Sequence, residues 1–242
     1  MTIKRQRLGQ HMLVDGKVLA KIISAAEISK NETVCEAGTG LGVLTAELCK
    51  RAKNVVSFEV DSGLLQHARQ DLHFDNLELV AGDIFKLADL AFDVFVSNLP
   101  YSRSRDAIEW LATQKFDRSV VMVQREFAEK LAAAPGDRDY RAISALANYC
   151  FKITRVTSVD RKSFSPQPTV ESVVLKIVPI NTVTRNTIGN LNLLFSKRNK
   201  KASSVIAKAG ISGINVGEKR IDQLPGAILV EMARMLHDIR AI

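Results

Sequence analysis

Residues 92–101, FDVFVSNLPY, join a buried-strand pattern to groups able to grip a planar amine. The apolar run, dense in Phe and Val, predicts a core strand of about four to six residues. It stops at Asn98-Leu99-Pro100-Tyr101, because Pro100 cannot continue a central strand and biases Leu99 toward extended backbone. An amide, a carbonyl and an aromatic ring are thereby fixed at the carboxyl end of a core strand. In open α/β sheets that edge is where ligands bind. Asn98 Oδ1 and the Leu99 carbonyl can accept the two hydrogens of such an amine, while Tyr101 stacks on its ring. Taken alone, the tetrapeptide serves equally well as a strand-to-loop turn with Tyr101 as a lid on the core.

Three acids at other strand ends shift that balance. Residues 33–36 read as a short strand, followed by Gly38, Gly40 and Gly42 in a tight turn into a helix over 43–51. The spacing is neither the dinucleotide nor the phosphate-loop form. Glu36 just before the turn disfavours phosphate and suits an ammonium group. A second strand over 54–59 ends in Glu59, placed to hold ribose hydroxyls. Asp61 reads as the cap of a helix over 62–71. A third strand over 76–80 leads to Asp83, which can accept from an adenine amino group while Ile84 packs on the ring. Each acid alone is as readily a cap or a solvated loop residue. Glu36, Glu59, Asp83 and Asn98 at the ends of four successive strands fit one adenosine-bearing cofactor with a cationic tail.

The remaining elements must build that sheet. A helix over 16–28 is expected behind an Asp15 cap, then a helix over 105–113, a strand over 118–124 and a helix from Arg125 that Pro135-Gly136 ends. Asp137 to Arg141 form a polar loop open to substrate or phosphate contacts. Further elements follow at 142–149 (helix), 151–159 (strand) and 170–178 (strand). Residues 162–168 read as a proline-stiffened loop without regular structure. It brings Phe164 toward Tyr101 across an aromatic slot, although spacing alone favours Phe164 as a core residue. After residue 178 the strand pattern gives way to short helices over 190–195, 203–209 and 227–239. The expected organisation is a catalytic domain at 1–178 and a small helical domain at 179–242. The fold class is α/β: a Rossmann-like, mostly parallel seven-stranded sheet with that helical appendage.

Charge is polarised toward the ends. The net charge is +8, with Lys4, Arg5 and Arg7 at the start and ten Lys/Arg against four Asp/Glu over 179–242. The intervening residues are almost neutral, a pattern that suits a polyanion gripped by terminal elements. The densest basic run is Lys197-Arg198-Asn199-Lys200-Lys201. Cys35, Cys49 and Cys150 show neither disulfide nor zinc spacing and read as small buried residues in a reducing cytoplasm. No metal site is expected. No apolar run reaches the ~20 residues of a membrane span, and no secretory signal follows the basic first residues.

With these residues collected, the sequence resembles the ribosomal RNA adenine dimethyltransferase family, which modifies small-subunit rRNA. The likeness runs in order through Gly9-Gln10-His11-Met12-Leu13, Glu36 to Gly42, Glu59, Asp83, Asn98 to Tyr101 and Phe164-Ser165-Pro166-Gln167-Pro168-Thr169-Val170. The C-terminal LFSKRNKK is similar to a basic turn of that family's helical domain. The resemblance implies S-adenosylmethionine as donor and two adjacent adenosines near the 3′ end of small-subunit rRNA as acceptors. It implies that His11, Leu13, Glu36 and Gly38 surround the methionine part, Glu59 holds the ribose and Asp83 the adenine, with Gly40 and Asn98 also among the cofactor contacts. Asn98, Leu99, Pro100, Tyr101 and Phe164 would then receive the target base. Lys4, Arg5, Arg7, Arg103, Arg105, Lys197, Arg198, Lys200 and Lys201 are the expected RNA contacts. Departures are Met12 where an aromatic residue is usual, Thr169 where Lys is common, and Ser-Arg-Ser-Arg after Tyr101 in place of Asn-Ile-Ser.

A monomer acting on a small-subunit precursor is expected. Two alternatives remain open at this point: methylation of one adenine in large-subunit rRNA, and a non-catalytic RNA-binding assembly factor.

Overall fold

A computed structural model describes residues 11–236 of the chain, so Lys4, Arg5, Arg7, Gly9 and Gln10 lie outside the described residues. In chain order the first elements are β1 (Met12–Leu13), α1 (Gly16–Ala26), β2 (Thr33–Ala37), α2 (Val43–Cys49), β3 (Asn54–Glu59), α3 (Ser62–Asp71) and β4 (Leu77–Ala81). Then come β5 (Val94–Asn98), α4 (Ser104–Leu111), β6 (Arg118–Gln124), α5 (Arg125–Ala132), α6 (Ala142–Cys150) and β7 (Phe151–Val159). The last are β8 (Phe164–Ser165), β9 (Ser172–Pro179), α7 (Arg185–Ser196), α8 (Ala202–Ala209) and α9 (Gly226–Met235).

The expected seven-stranded sheet forms in the order β4-β3-β2-β5-β6-β9-β7. The strands from β4 to β6 are parallel, and β9 runs antiparallel to β6. The chain winds outward from β2 to β4, then returns to lay β5 on the other side of β2. The carboxyl ends of β2 and β5 therefore flank a topological switch point, where a crevice opens between diverging connections. Near-continuous apolar runs feed the central parallel strands β2, β5 and β6, as burial on both faces demands. Val34, Val94, Val96, Val120, Met122 and Val174 form a core with Ile22 and Ile23 of α1 and Leu44 and Leu48 of α2.

Local signals fix the helix starts. The Asp15 side chain accepts from the Lys17 and Val18 amides, and Asp61 accepts from those of Gly63 and Leu64. At Gly42 the backbone has φ of 78°, and a Cβ would lie 2.8 Å from the Leu72 side chain. Only glycine admits both the left-handed turn and the approach of Leu72.

One expectation fails. Residues 162–168 are not wholly irregular: a 3₁₀ turn at Arg161–Ser163 leads into β8, which pairs antiparallel with β1, Met12 opposite Ser165 and Leu13 opposite Phe164. No local pattern signals this two-residue ladder, because the partner strand lies at the other end of the catalytic sequence.

The described chain divides into two compact units. The first holds the sheet up to residue 178, apart from 108–113 and 126–152, which belong with 179 onward in the second. Within the second unit, Tyr140 is buried and donates to the Leu224 carbonyl at 3.1 Å. Asn190 bonds the Ala233 and Leu236 carbonyls at the end of α9. Among the described residues no helix is long and apolar enough to cross a membrane.

Candidate active site

A cleft of about 740 Å³ opens at the switch point, lined by the ends of β2, β3, β4 and β5 and by residues 11–16. It brings together His11, Leu13, Gly38, Gly40, Glu59, Asp83, Asn98, Leu99, Pro100, Tyr101 and Phe164. These sequence-predicted residues lie far apart along the chain, from His11 to Phe164, and strand ends converge them.

On the β2–β3 side the glycine turn is laced to Glu59. Gly40 N donates to Glu59 Oε2 and Asp61 N to Oε1, both at 2.9 Å. The carboxylate is thus held in one orientation at the tip of β3, with lone pairs to spare. Gly38 donates to the Phe58 carbonyl at 2.7 Å, and a Cβ there would meet no atom within 4 Å. The turn therefore leaves room for a ligand to lie against the backbone.

Glu36 differs from the expectation. It is 0% exposed and does not line the cleft. Alternation along β2 turns its side chain under the turn, where Thr45 and Ser57 hydroxyls both donate to Oε2 at 2.6 Å and Thr39 Oγ1 lies 2.7 Å from Ser57 Oγ. Oε1 has no partner among the described residues. Burial pushes the carboxyl up to about 7, against the two hydroxyls, which lower it, and with the Glu59 charge adding to the rise. Glu36 therefore lies beneath the turn and does not contact the cleft. Thr45 and Ser57 carry no local signal of this role, since they lie 9 and 21 residues away.

Asp83 is also engaged otherwise than expected. Its Oδ1 caps the next turn through the Phe85 amide at 3.1 Å, and its Oδ2 accepts from Arg103 Nη2 at 2.7 Å. Arg103 pairs in addition with Asp106 at 2.9 Å and lies over the Phe85 ring, 5.2 Å from its centroid. Arg103 therefore belongs to the cleft wall. Expected among the RNA contacts, it has its guanidinium drawn toward two carboxylates, Asp83 and Asp106.

At the end of β5 the Asn98 amide has no hydrogen-bond partner among the described residues, while Leu99 is buried and anchors the turn. Pro100 starts the 3₁₀ turn at Tyr101–Arg103, its carbonyl accepting from Arg103 N at 2.8 Å. Tyr101 is held at its hydroxyl, 2.6 Å from Ser172 Oγ, and burial raises its phenol. The ring beside Tyr101 is His11, with centroids 5.6 Å apart at 30°. His11 Nδ1 in turn donates to the Pro166 carbonyl at 2.9 Å. The expected Tyr101–Phe164 slot is corrected on this point: Phe164, 3% exposed, packs in the core. Ser172 was not legible as a site residue, because its partner is 71 positions away.

In the second unit Lys200 and Lys201 are exposed on the turn between α7 and α8. Backbone bonds from Asp222 N to Arg198 O, Ile221 N to Lys200 O and Ala202 N to Lys219 O zip this turn to residues 219–222. Lys219 and Arg220 thereby join Lys197, Arg198, Lys200 and Lys201, an enlargement that sequence distance conceals. Arg105 is exposed on α4. In the loop at 137–141, Arg141 donates to the Arg138 and Tyr140 carbonyls, so its guanidinium braces the loop. The three cysteines are free and buried, and burial pushes Cys49 and Cys150 up to about 12. Among the described residues no group of three or more His, Cys, Asp or Glu is placed to hold a metal ion.

Known proteins resemble this chain in sequence and in fold. Residues 1–209 match the family described as ribosomal RNA adenine dimethylase. A probable ribosomal RNA small subunit methyltransferase A from Pyrococcus abyssi is 34% identical over 223 residues, covering 90% of this chain and 83% of that protein. The protein of the same description from Methanosarcina mazei is 34% identical over 259 residues, covering 99% and 95%. The crystal structure of a dimethyladenosine transferase from Plasmodium falciparum superposes with a TM-score of 0.75 at 28% identity, covering 93% of this chain and 98% of that one. A Rossmann-like sheet with its cleft at the switch point, the ordered motifs around that cleft and this breadth of similarity agree: the chain is an enzyme of the ribosomal RNA adenine dimethylase family.

Proposed function

We propose that the protein transfers methyl groups from S-adenosylmethionine to N6 of two adjacent adenosines in the 3′-terminal hairpin of small-subunit rRNA. It acts as a cytoplasmic monomer on a precursor of the small subunit and takes part in that subunit's biogenesis. Residues 1–178 carry the chemistry, and the basic helical residues 179–242 grip RNA. The observation that carries the reading is Asn98: an unengaged amide at the tip of a central strand, in the same cleft as Glu59 and the glycine turn.

The residues fit the cofactor. Gly38 leaves open space beside the backbone, Glu59 presents an oriented carboxylate for two ribose hydroxyls, and a cation held above the turn would favour the ionised form of the buried, half-satisfied Glu36. When bound, S-adenosylmethionine supplies an electrophilic methyl on a sulfonium. The difficulty lies with the acceptor, whose N6 lone pair is delocalised into the adenine ring. Asn98 Oδ1 and the Leu99 carbonyl accept its two hydrogens, favour a pyramidal nitrogen and aim its lone pair at the methyl. Positioning and matched electrostatics then provide most of the rate. A dedicated base is not needed, since the N-methylated product is acidic enough to lose its proton to water. In the second round one hydrogen remains for these acceptors and the first methyl takes the place of the other.

An adenine in a hairpin must first be turned out of its stack, at a cost of a few kcal/mol. Tyr101, held by Ser172 and flanked by His11, offers the ring on which the base can stack instead. Lys197, Arg198, Lys200 and Lys201, with Lys219 and Arg220 beside them, supply phosphate contacts, to which Arg105, Lys4, Arg5 and Arg7 add positive charge.

The test is methyl transfer from labelled S-adenosylmethionine to unmethylated small ribosomal subunits, followed by nucleoside analysis. N6,N6-dimethyladenosine in small-subunit rRNA is expected. Label confined to large-subunit rRNA, or tight subunit binding with no label, refutes the reading.

A further inference from the structure

Asp83, the acid placed to receive the cofactor's purine, is already occupied. Arg103 Nη2 lies 2.7 Å from Asp83 Oδ2, while Nη1 lies 2.9 Å from Asp106 Oδ2. The guanidinium rests on the Phe85 ring, so its plane is supported from one side and its edge is shared between two carboxylates. All three of Asp83, Phe85 and Arg103 line the cleft. A purine entering here meets a donor and an acceptor side by side, where Asp83 alone would present an acceptor only.

We propose that Arg103 is a specificity-determining residue of the purine subsite. Its guanidinium competes with a 6-amino group for Asp83 Oδ2 and offers a hydrogen-bond donor to a 6-oxo group. The proposal rests on the reading that an adenosine-bearing ligand enters this cleft. Asp106 makes the competition a mild one. When a 6-amino group takes Asp83 Oδ2, the guanidinium keeps its bond to Asp106, one turn further along the chain, and does not lose its counter-charge altogether. The pair is also partly solvated, with Arg103 37% and Asp83 19% exposed. Exposed pairs of this kind have small coupling energies, so the effect on affinity is about two- to fivefold in each direction. The opposite signs for the two purines distinguish selectivity from general weakening of the pocket.

The experiment is calorimetric titration of the protein with S-adenosylhomocysteine and with its 6-oxo counterpart, S-inosylhomocysteine. Wild type is compared with Arg103→Met and Arg103→Lys. Arg103→Met is expected to bind the adenosyl ligand about two- to fivefold more tightly and the inosyl ligand more weakly by a similar factor. Arg103→Lys keeps a donor and a charge without the fork, and its ratio of affinities is expected between the other two. If Arg103→Met does not fold, the shift in Arg103→Lys decides. An unchanged ratio, or a ratio moved toward the inosyl ligand, overturns the role of Arg103 while leaving the cleft's assignment intact. Failure of the wild type to bind either ligand overturns the assignment of the cleft, and the role of Arg103 with it.

Discussion

Replacing Glu36 with glutamine should flatten the dependence of stability on pH. In the folded protein Glu36 holds its proton up to about pH 7, against 4.5 for an unperturbed Glu. Below the lower value both folded and unfolded chains carry the proton, and this group adds no pH dependence. Between the two values the folded state keeps a proton that the unfolded state has released, so stability falls as pH rises. Above the higher value the cost of an ionised, buried carboxylate is complete and constant. At ~1.4 kcal/mol for each pH unit separating the two values, that cost is about 3 kcal/mol. In the Glu36→Gln variant the amide oxygen would retain the Thr45 and Ser57 hydroxyl bonds, and the amide nitrogen would replace the oxygen that has no partner among the described residues. That exchange shifts stability by an amount independent of pH. Urea unfolding of both proteins at about pH 5, 6 and 7.5 is the assay. The difference between them should move by about 2 kcal/mol in favour of Glu36→Gln from the lowest pH to the highest, because pH 5 and pH 7.5 span most but not all of the titration. A difference that stays flat across this range would show that Glu36 does not hold the proton, and would refute the reasoning.

Asn98→Ala should abolish methyl transfer while S-adenosylhomocysteine still binds; measurable turnover in that variant sinks the acceptor role of Asn98. Ser172→Ala frees the Tyr101 hydroxyl, a loss of about 1 kcal/mol. Its KM for the ribosomal subunit should rise several-fold at unchanged cofactor affinity, as steady-state kinetics will show. Arg118 pairs with Glu32 at 2.8 Å and also donates to the Ala26 and Glu27 carbonyls. Its guanidinium holds Glu32 down at about 2, so the pair's contribution is present above the ordinary value of 4.5 and is lost as pH falls toward 2. Arg118→Met should cost about 2–3 kcal/mol at neutral pH and less in acid, read from thermal unfolding. Lys200→Glu with Lys201→Glu should weaken subunit binding uniformly and reduce its salt dependence, with transfer of the methyl group per bound complex preserved.

The sheet was largely legible because its strands are strong patterns: the ranges 54–59 and 118–124 follow from apolar runs, and 151–159 from its density of β-branched residues. The caps Asp15 and Asp61 were legible for a similar reason, since each acts on amides two and three positions away. What residue order could not give is which face a side chain takes or which distant group neutralises it. Glu36 has the composition of a ligand contact, yet strand alternation buries it. Asp83 has the position of a purine contact, yet an arginine 20 residues later lies on it. Phe164 was the opposite case, since the plainer reading of it as core holds. Lys219 and Arg220 join the basic turn only through backbone pairing, which leaves no mark on residue type.

The wall formed by β1 and β8 bears on when the enzyme can work during its own synthesis. His11 reaches Pro166 across 155 positions, and Asp15 reaches Ser163 across 148. The segment that carries His11 and Leu13 leaves the ribosome long before its strand partner exists. Translation must deliver nearly the whole sheet before the second half of the ladder arrives to close that side of the cleft. A nascent chain cut short ahead of residue 163 would carry the glycine turn, Glu59 and Asn98 without the wall that frames Tyr101. Synthesis through β8, well after the glycine turn, Glu59 and Asn98 have been made, is therefore the step that closes this wall of the cleft.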